Sequence, residues 1–219
     1  DVIDFTGGQR PGPILQVLKN EFLGGSDDAL DLDGTDAHIE GNTFRSFHKN
    51  NASDSSSNAI ATGIDGGVAS EITVVRNFFY DNDHAVLVKE GSFLTLQNNT
   101  IVGSTIAAIN FDEPNRPVAP GLGALIEGNI FAGNSADFEN VYNNHPTEGT
   151  TQLTINYSLV AAAYTNRGVG NLDSATHAAR IADAAAGDFS LAPGSAAIGS
   201  GPVGLDMGAD VDPWAAIAG

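Results

Sequence analysis

One short pattern centred on an asparagine recurs along much of the chain, and it limits the architectures that the chain can adopt. Mostly apolar residues stand five and three positions before each asparagine, and a further apolar residue usually stands two positions after it. A constant minimum spacing with variable additions is typical of a solenoid whose coils share one core and differ in their loops. The asparagines are Asn20, Asn42, Asn77, Asn99, Asn129 and Asn156, with spacings of 22, 35, 22, 30 and 27 residues.

The residues that flank each asparagine alternate between apolar and polar side chains, which is the pattern of a β-strand with one buried face. We expect each asparagine to lie at a bend between two short strands, because this residue tolerates the left-handed backbone conformation. Stacked asparagines can also bond from coil to coil, at about 1 kcal/mol net for each bond. The residues two positions after the asparagines are expected to stack on one another: Phe22, Phe44, Phe79, Ile101, Phe131 and Ser158.

A further strand precedes each asparagine pattern. Five segments that align without gaps carry it, namely residues 2–6, 29–33, 59–63, 85–89 and 108–112. The sequence therefore predicts an all-β fold, a right-handed parallel β-helix solenoid with three short strands per coil, whose hand follows from the crossover rule. We expect the coils to occupy residues 1–158. Residues 159–219 are expected to form a capping segment on the same domain, either irregular or with a short helix at 173–186.

These repeats resemble those of right-handed parallel β-helix proteins of the pectin-lyase-like superfamily. Residues 27–115 and the closing segment 188–209 are similar to β-helix modules of large secreted bacterial surface proteins. The resemblance implies a secreted or cell-surface protein and substrates that lie along the outward face of the first sheet. It does not imply one activity, because the superfamily includes lyases, hydrolases, esterases and adhesins.

Composition narrows the classes of partner. Asp and Glu outnumber Lys and Arg by 27 to 9, for a net charge of -18, which argues against a nucleic-acid partner. There are no cysteines, so thiolate metal sites and disulfides are excluded. No apolar run approaches membrane-spanning length, so we expect no membrane insertion. The chain begins with Asp1, in a segment that reads as a strand, so additional coils or domains are expected upstream.

The outward positions of the first strands place several aspartates side by side. Asp4 and Asp31 are expected to be stacked neighbours, with Asp33 two residues further along the same face. Two carboxylates about 5 Å apart repel by roughly 3 kcal/mol at an effective dielectric constant of 20. One hypothesis is a Ca²⁺ ion held by Asp4, Asp31 and Asp33, or by Asp27 and Asp28 in the adjoining turn. The alternative is a set of carboxylates that are splayed apart and solvated.

Long connections at residues 46–58 and 113–123 are expected to form walls beside this face, and loops on a rigid scaffold often carry function. Single polar residues on such loops are also commonly just solvated. The candidate substrate-binding residues on the walls and on the face are His48, Lys49, His84, Asn110 and Arg116.

Four residues of the face are candidate catalytic residues. Asp31 and Asp33 fit the carboxylate separation of an inverting glycoside hydrolase. Lys89 is the candidate base of a polyuronate lyase, although a neighbouring Asp112 would raise the pKa of Lys89, the wrong direction for a base. A surface ion pair between Lys89 and Asp112 is the structural alternative.

The leading prediction is a secreted or cell-surface module that engages carbohydrate, including anionic polysaccharide, in an acidic groove on the first sheet, with help from Ca²⁺. A structural or adhesive spacer of a larger surface protein is the alternative. A polysaccharide lyase or an inverting glycoside hydrolase is the third reading, and the sequence leaves open whether the protein is an enzyme.

Overall fold

The architecture is a β-helix of three parallel sheets, seen in a computed structural model that describes residues 1–51, 57–113 and 118–210. Each coil contributes one strand to each sheet, and equivalent strands of successive coils pair in parallel. The prediction of an all-β parallel β-helix is therefore confirmed. Described residues contain no helix that is long and apolar enough to cross a membrane.

The first sheet carries the aspartates. Its register pairs Asp4 with Asp31, and then pairs Asp33 with Gly63, as the sequence alignment requires. The third strand of this sheet also pairs with a short antiparallel strand, Val68–Ala69, and the two form a hairpin. The six parallel strands are Ile3–Thr6, Leu30–Asp33, Asn58–Asp65, His84–Leu87, Ala107–Asn110 and Phe138–Glu139.

The second and third sheets contain the two strands on either side of each asparagine. The second sheet contains Leu15–Leu18, Ala37–Glu40, Glu71–Val75, Phe93–Gln97, Gly123–Glu127 and Gln152–Asn156. The third sheet contains Glu21–Gly25, Thr43–Phe47, Phe78–Tyr80, Thr100–Val102, Ile130–Ala132, Leu159–Val160 and Leu172–Asp173. Parallel stacking thus continues past residue 158.

The core runs along the axis of the solenoid between the three sheets. Phe22 stacks on Phe44 at 4.8 Å between ring centroids, and Phe44 stacks on Phe79 at 5.0 Å. Ile101 and Phe131 continue the same column and are fully buried. The predicted stack of inward side chains is therefore correct as far as Phe131.

A ladder of buried asparagine amides joins the coils. The backbone N–H and Nδ2 of Asn42 both donate to Oδ1 of Asn77 at 2.9 Å, and the same pair of bonds repeats between Asn77 and Asn99. The asparagines themselves are not left-handed, contrary to expectation. The residue before each of the first five has positive φ instead: Lys19, Gly41, Arg76, Asn98 and Gly128. In the last coil the residue with positive φ is Tyr157, which precedes Ser158.

The last coil corrects the sequence alignment. Asn156 pairs with Glu127, and the ladder position belongs to Ser158, whose Oγ accepts the N–H of Asn129 at 3.0 Å. The alignment on Asn156 was wrong by two residues, because the inward positions of this strand are filled by Leu153 and Ile155.

The C-terminal segment lies along the outer side of the third sheet. Strands Ile181–Asp183 and Asp188–Leu191 form an antiparallel hairpin, and Phe189 stacks on Phe78 at 4.6 Å. The predicted short helix is replaced by this hairpin and one 3₁₀ turn, Ala184–Ala186; other 3₁₀ turns are Ala162–Tyr164 and Pro202–Gly204.

Candidate functional site

The candidate site is the outward face of the first sheet, which we call the first-sheet face. It is built from the outward positions of successive coils. The second coil supplies Asp28, Asp31 and Asp33; the following coils supply Asn58, Ala61, Gly63, His84, Leu87, Lys89, Asn110 and Asp112. Ala61 and Leu87 lie on this outer side but are buried, so the middle of the first-sheet face is not exposed to solvent.

Asp31 and Asp33 each keep one carboxylate oxygen without a hydrogen-bond partner. In both residues Oδ1 is enclosed by protein, and no described group donates to it. Burial raises the pKa of Asp31, and the charge of Asp33 raises it further. Burial also raises the pKa of Asp33, with the charge of Glu90 adding to the effect. Enclosed acceptors of this kind cost free energy unless a donor reaches them.

Gly63 makes room for the carboxylate of Asp33. A Cβ atom at position 63 would overlap Oδ1 of Asp33 and would also crowd Oε2 of Glu90. The glycine stands between Asp33 and Lys89 on neighbouring coils, so the aspartate can lean across the strand toward the lysine. The repeat pattern of the sequence does not reveal the role of this glycine.

Lys89 is a buried cation, with only 9% of the residue exposed. Its ammonium makes no hydrogen bond or ion pair with any described residue, although its charge offsets part of the rise in the pKa of Asp31 and Asp33. The ion pair expected between Lys89 and Asp112 does not form. Asp112 instead accepts the hydroxyl of Tyr142 at 2.6 Å and the N–H of Glu113 at 2.8 Å.

Asp28 lies at the corner where the second coil enters the sheet. Its Oδ1 accepts both the backbone N–H and Nδ2 of Asn58 at 2.8 Å. Burial raises the pKa of Asp28 to about 7, against the lowering effect of these hydrogen bonds. Carboxylate oxygens of Asp1, Asp28 and Asp31 lie within 4.8 Å of one another, close enough to share a cation.

The set of residues that the sequence assigned to a metal is therefore only partly brought together. Asp28 and Asp31 belong to the group within reach of one ion, and Asp1 takes the place that was given to Asp4 and Asp33. Asp4 is stacked on Asp31 in register, as expected, but its side chain is exposed. Asp33 points toward Gly63 and Lys89 rather than toward Asp28.

A second polar cluster lies further along the face, around His84. Only 2% of His84 is exposed; its Nε2 is 3.5 Å from Nδ2 of Asn110 and 3.9 Å from Oε2 of Glu139. The histidine lowers the pKa of Glu139. Asn110 is fully buried, and its Oδ1 accepts from Nδ2 of Asn140 at 2.8 Å, so its amide is already used within the protein.

Glu139 was missed because the sixth strand of this sheet has only two residues, too few to show an alternating pattern.

The predicted wall residues lie at one edge of the face. His48 Nδ1 is 2.9 Å from Oδ1 of Asp83, and its Nε2 is 3.4 Å from Oδ1 of Asp81. Burial lowers the pKa of His48, but the two aspartates outweigh burial and the net shift is upward. The backbone N–H of Lys49 donates to Oδ2 of Asp83 at 2.9 Å. Arg116 lies outside the described residues.

Comparison with known families decides the classification. Residues 3–179 match the family model described as right handed beta helix region. The chain belongs to this right-handed β-helix family. The match spans all three sheets and ends just before the C-terminal hairpin, so the family covers the region that builds the first-sheet face. Searches of curated proteins and of solved structures gave no match.

Membership of the β-helix family establishes the fold but does not establish what the first-sheet face binds or catalyses. The family fits a carbohydrate-related or a structural role in general terms. Any narrower function has to be argued from the side chains of the first-sheet face.

Proposed function

We propose that this β-helix binds carbohydrate on the first-sheet face, with Asp31, Asp33 and Lys89 as the residues that contact the sugar. The observation that carries the proposal is that the carboxylates of Asp31 and Asp33 receive no hydrogen bond from any described residue, while Lys89, a potential donor, lies beside them. A sugar offers hydroxyl groups that both donate and accept, so neighbouring hydroxyls can satisfy groups of both kinds.

Energetics support an external ligand over a purely internal role. A buried polar group without a partner costs about 1–3 kcal/mol, and more when it is charged. The two enclosed oxygens of Asp31 and Asp33 therefore lower the stability of the fold, and no described group offsets that cost. Groups at functional sites are often kept at this kind of cost to stability.

Ca²⁺ is part of the proposal as an assisting ion. Asp1, Asp28 and Asp31 would hold it, because carboxylate oxygens are the ligands that Ca²⁺ prefers. The ion would neutralise charge at the corner of the face beside the sugar. A secreted or cell-surface location belongs to the same proposal, because extracellular glycans are the expected ligands.

The experiment compares Asp33→Ala with the wild type on a panel of neutral, cationic and anionic oligosaccharides by calorimetry. We expect Asp33→Ala to weaken binding at least tenfold, since hydrogen bonds to charged groups contribute about 1.5–3 kcal/mol. The thermal midpoint should not fall, because the carboxylate that is removed has an unpartnered buried oxygen.

Glu71→Ala is the matched control, since it removes an exposed carboxylate from the second sheet. It should bind like the wild type. If no oligosaccharide binds the wild type or raises its thermal midpoint, carbohydrate binding is rejected and a spacer role is favoured. Normal binding by Asp33→Ala would show that the site is elsewhere.

A further inference from the structure

The first-sheet face carries an excess of negative charge around the groups that lack partners. Asp28, Asp31, Asp33 and Glu90 surround the position. Burial raises the pKa of the three aspartates, and the charges of neighbouring carboxylates add to the rise. Lys89 is the cation that acts on Asp31 and Asp33. The whole chain adds to this field with its net charge of -18.

The carboxylates of Asp31 and Asp33 receive no hydrogen bond from any described residue, and they can be satisfied only by hydrogen-bond donors. A carboxylate-bearing sugar offers an anion to this position and is repelled by the surrounding aspartates. An ammonium group offers up to three donors and a complementary charge, and charge-assisted hydrogen bonds are about twice as strong as neutral ones. The position therefore favours a cationic group over a hydroxyl, and a hydroxyl over a carboxylate.

We infer that the ligand is a polysaccharide with free amino groups, in which the ammonium of an unacetylated hexosamine bonds to Asp31 and Asp33. The inference rests on the proposed function, since it names the class of sugar that the same face would take. It replaces the anionic polysaccharide that the sequence suggested. The first-sheet face then distinguishes hexosamine from N-acetylhexosamine, because acetylation removes both the charge and two of the donors.

Lys89 has a separate role in this arrangement. Its ammonium has no acceptor among the described residues, and a sugar hydroxyl beside the amino group can provide one. The same charge repels the ligand's ammonium. Lys89 thus weakens the binding of a cationic sugar and strengthens the binding of a neutral one. Replacing the lysine should therefore change the two affinities in opposite directions.

The experiment measures calorimetric binding at pH 6 of four oligosaccharides of equal length: a glucosamine oligomer, its N-acetylated counterpart, a glucose oligomer and a galacturonate oligomer. We expect the glucosamine oligomer to bind at least about tenfold more tightly than the glucose oligomer, as one charge-assisted bond predicts. The N-acetylated oligomer should bind like the glucose oligomer. The galacturonate oligomer should bind most weakly, and added salt should reduce the preference for glucosamine.

Variants separate this specificity from general binding. Asp31→Asn should reduce the preference for glucosamine, whereas Glu71→Gln, which removes an equal charge outside the face, should leave it unchanged. Lys89→Met should weaken the glucose oligomer while increasing the ratio of glucosamine to glucose affinity. Saturating Ca²⁺ should reduce the preference for glucosamine, because the ion, which assists the binding of neutral sugars, would compete with the ammonium for the carboxylate of Asp31.

The two proposals fail in different ways. Equal affinity for the glucosamine and glucose oligomers would overturn the amino-sugar inference and leave carbohydrate binding intact. Tightest binding of the galacturonate oligomer would also overturn it. Absence of binding by all four oligomers would reject the proposed function itself.

Discussion

Oδ1 of Asp33 occupies the space that a side chain at position 63 would fill. The carboxylate lies over Gly63, on the adjoining coil, and reaches toward Glu90 and Lys89 on the coil beyond. One missing Cβ therefore sets the position of an acidic group on the first-sheet face.

Gly63→Ala tests this relationship. The added methyl group should displace the carboxylate of Asp33 and weaken binding of the proposed sugar about tenfold, comparable with the loss of one charged hydrogen bond. Binding should be measured by calorimetry, with the thermal midpoint as a check that the fold persists. A second variant, Asp33→Ala in the Gly63→Ala background, should cause little further loss. If the two substitutions weaken binding additively, the glycine does not act through Asp33.

Asp28 should make stability depend on pH. Its pKa of about 7 in the folded protein is above the ordinary value of 3.8, so the folded state holds a proton that the unfolded state has released between these values. Stability from this group is therefore greatest at low pH and falls as pH rises from about 4 to about 7, by on the order of a few kcal/mol.

Asp28→Asn keeps an oxygen that can accept from Asn58 and removes the titration. Chemical denaturation at pH 5 and pH 8 should show that the variant gains stability relative to the wild type at the higher pH. A difference between variant and wild type that is the same at both pH values would contradict the assignment of the proton to Asp28. Wild-type measurements with added Ca²⁺ should show a smaller fall, because the ion stabilises the carboxylate form.

Asn77 should be among the most sensitive ladder positions. Its Oδ1 accepts two bonds from Asn42, and its Nδ2 donates to the carbonyl of Ile39 at 2.9 Å. Asn77→Ala leaves several buried groups without partners and should cost about 3 kcal/mol of unfolding free energy. Asn20→Ala, at the exposed first position of the ladder, should cost less than about 1 kcal/mol. Equal losses for the two variants in denaturant titrations would show that burial does not set the ladder's contribution.

Phe189 should hold the C-terminal hairpin on the third sheet. Its ring stacks on Phe78 and meets Tyr80 edge-on, with centroids 4.6 and 6.3 Å apart. Phe189→Ala should release the hairpin locally, with a loss of about 3 kcal/mol at that contact. Limited proteolysis should then cut within residues 181–191 faster than in the wild type. Ser190→Ala, on an exposed neighbour, serves as control, and unchanged cleavage in Phe189→Ala would place the anchor elsewhere.

The repeat was predictable because each coil places the same residue types at the same positions in the core. The inward positions are marked by aligned phenylalanines, namely Phe22, Phe44 and Phe79. The outward positions are marked by the aligned aspartates. The last coil was less predictable, because Ser158 takes the ladder position of an asparagine. Its hydroxyl accepts the N–H of Asn129, as an amide oxygen does in the other coils. No alignment on asparagines could detect that exchange.

The details of the candidate site depended on distances that a sequence does not contain. The register predicted that Asp31 and Asp33 share a face, but not that an oxygen of each is enclosed without a donor. The expected pairing of Lys89 with Asp112 failed because Tyr142, from a segment without the repeat, takes the carboxylate. The repeat pattern does not predict contacts between non-repeating segments and the coils.

The asparagine ladder also determines how the molecule should respond to force. Each interior amide bonds to the coil directly above or below it, so a pull along the solenoid axis loads the junctions one after another in series. The weakest junction then yields first, and its failure leaves the remaining coils intact. Such a rod would release its length in steps of one coil, and would dissipate mechanical work at every step.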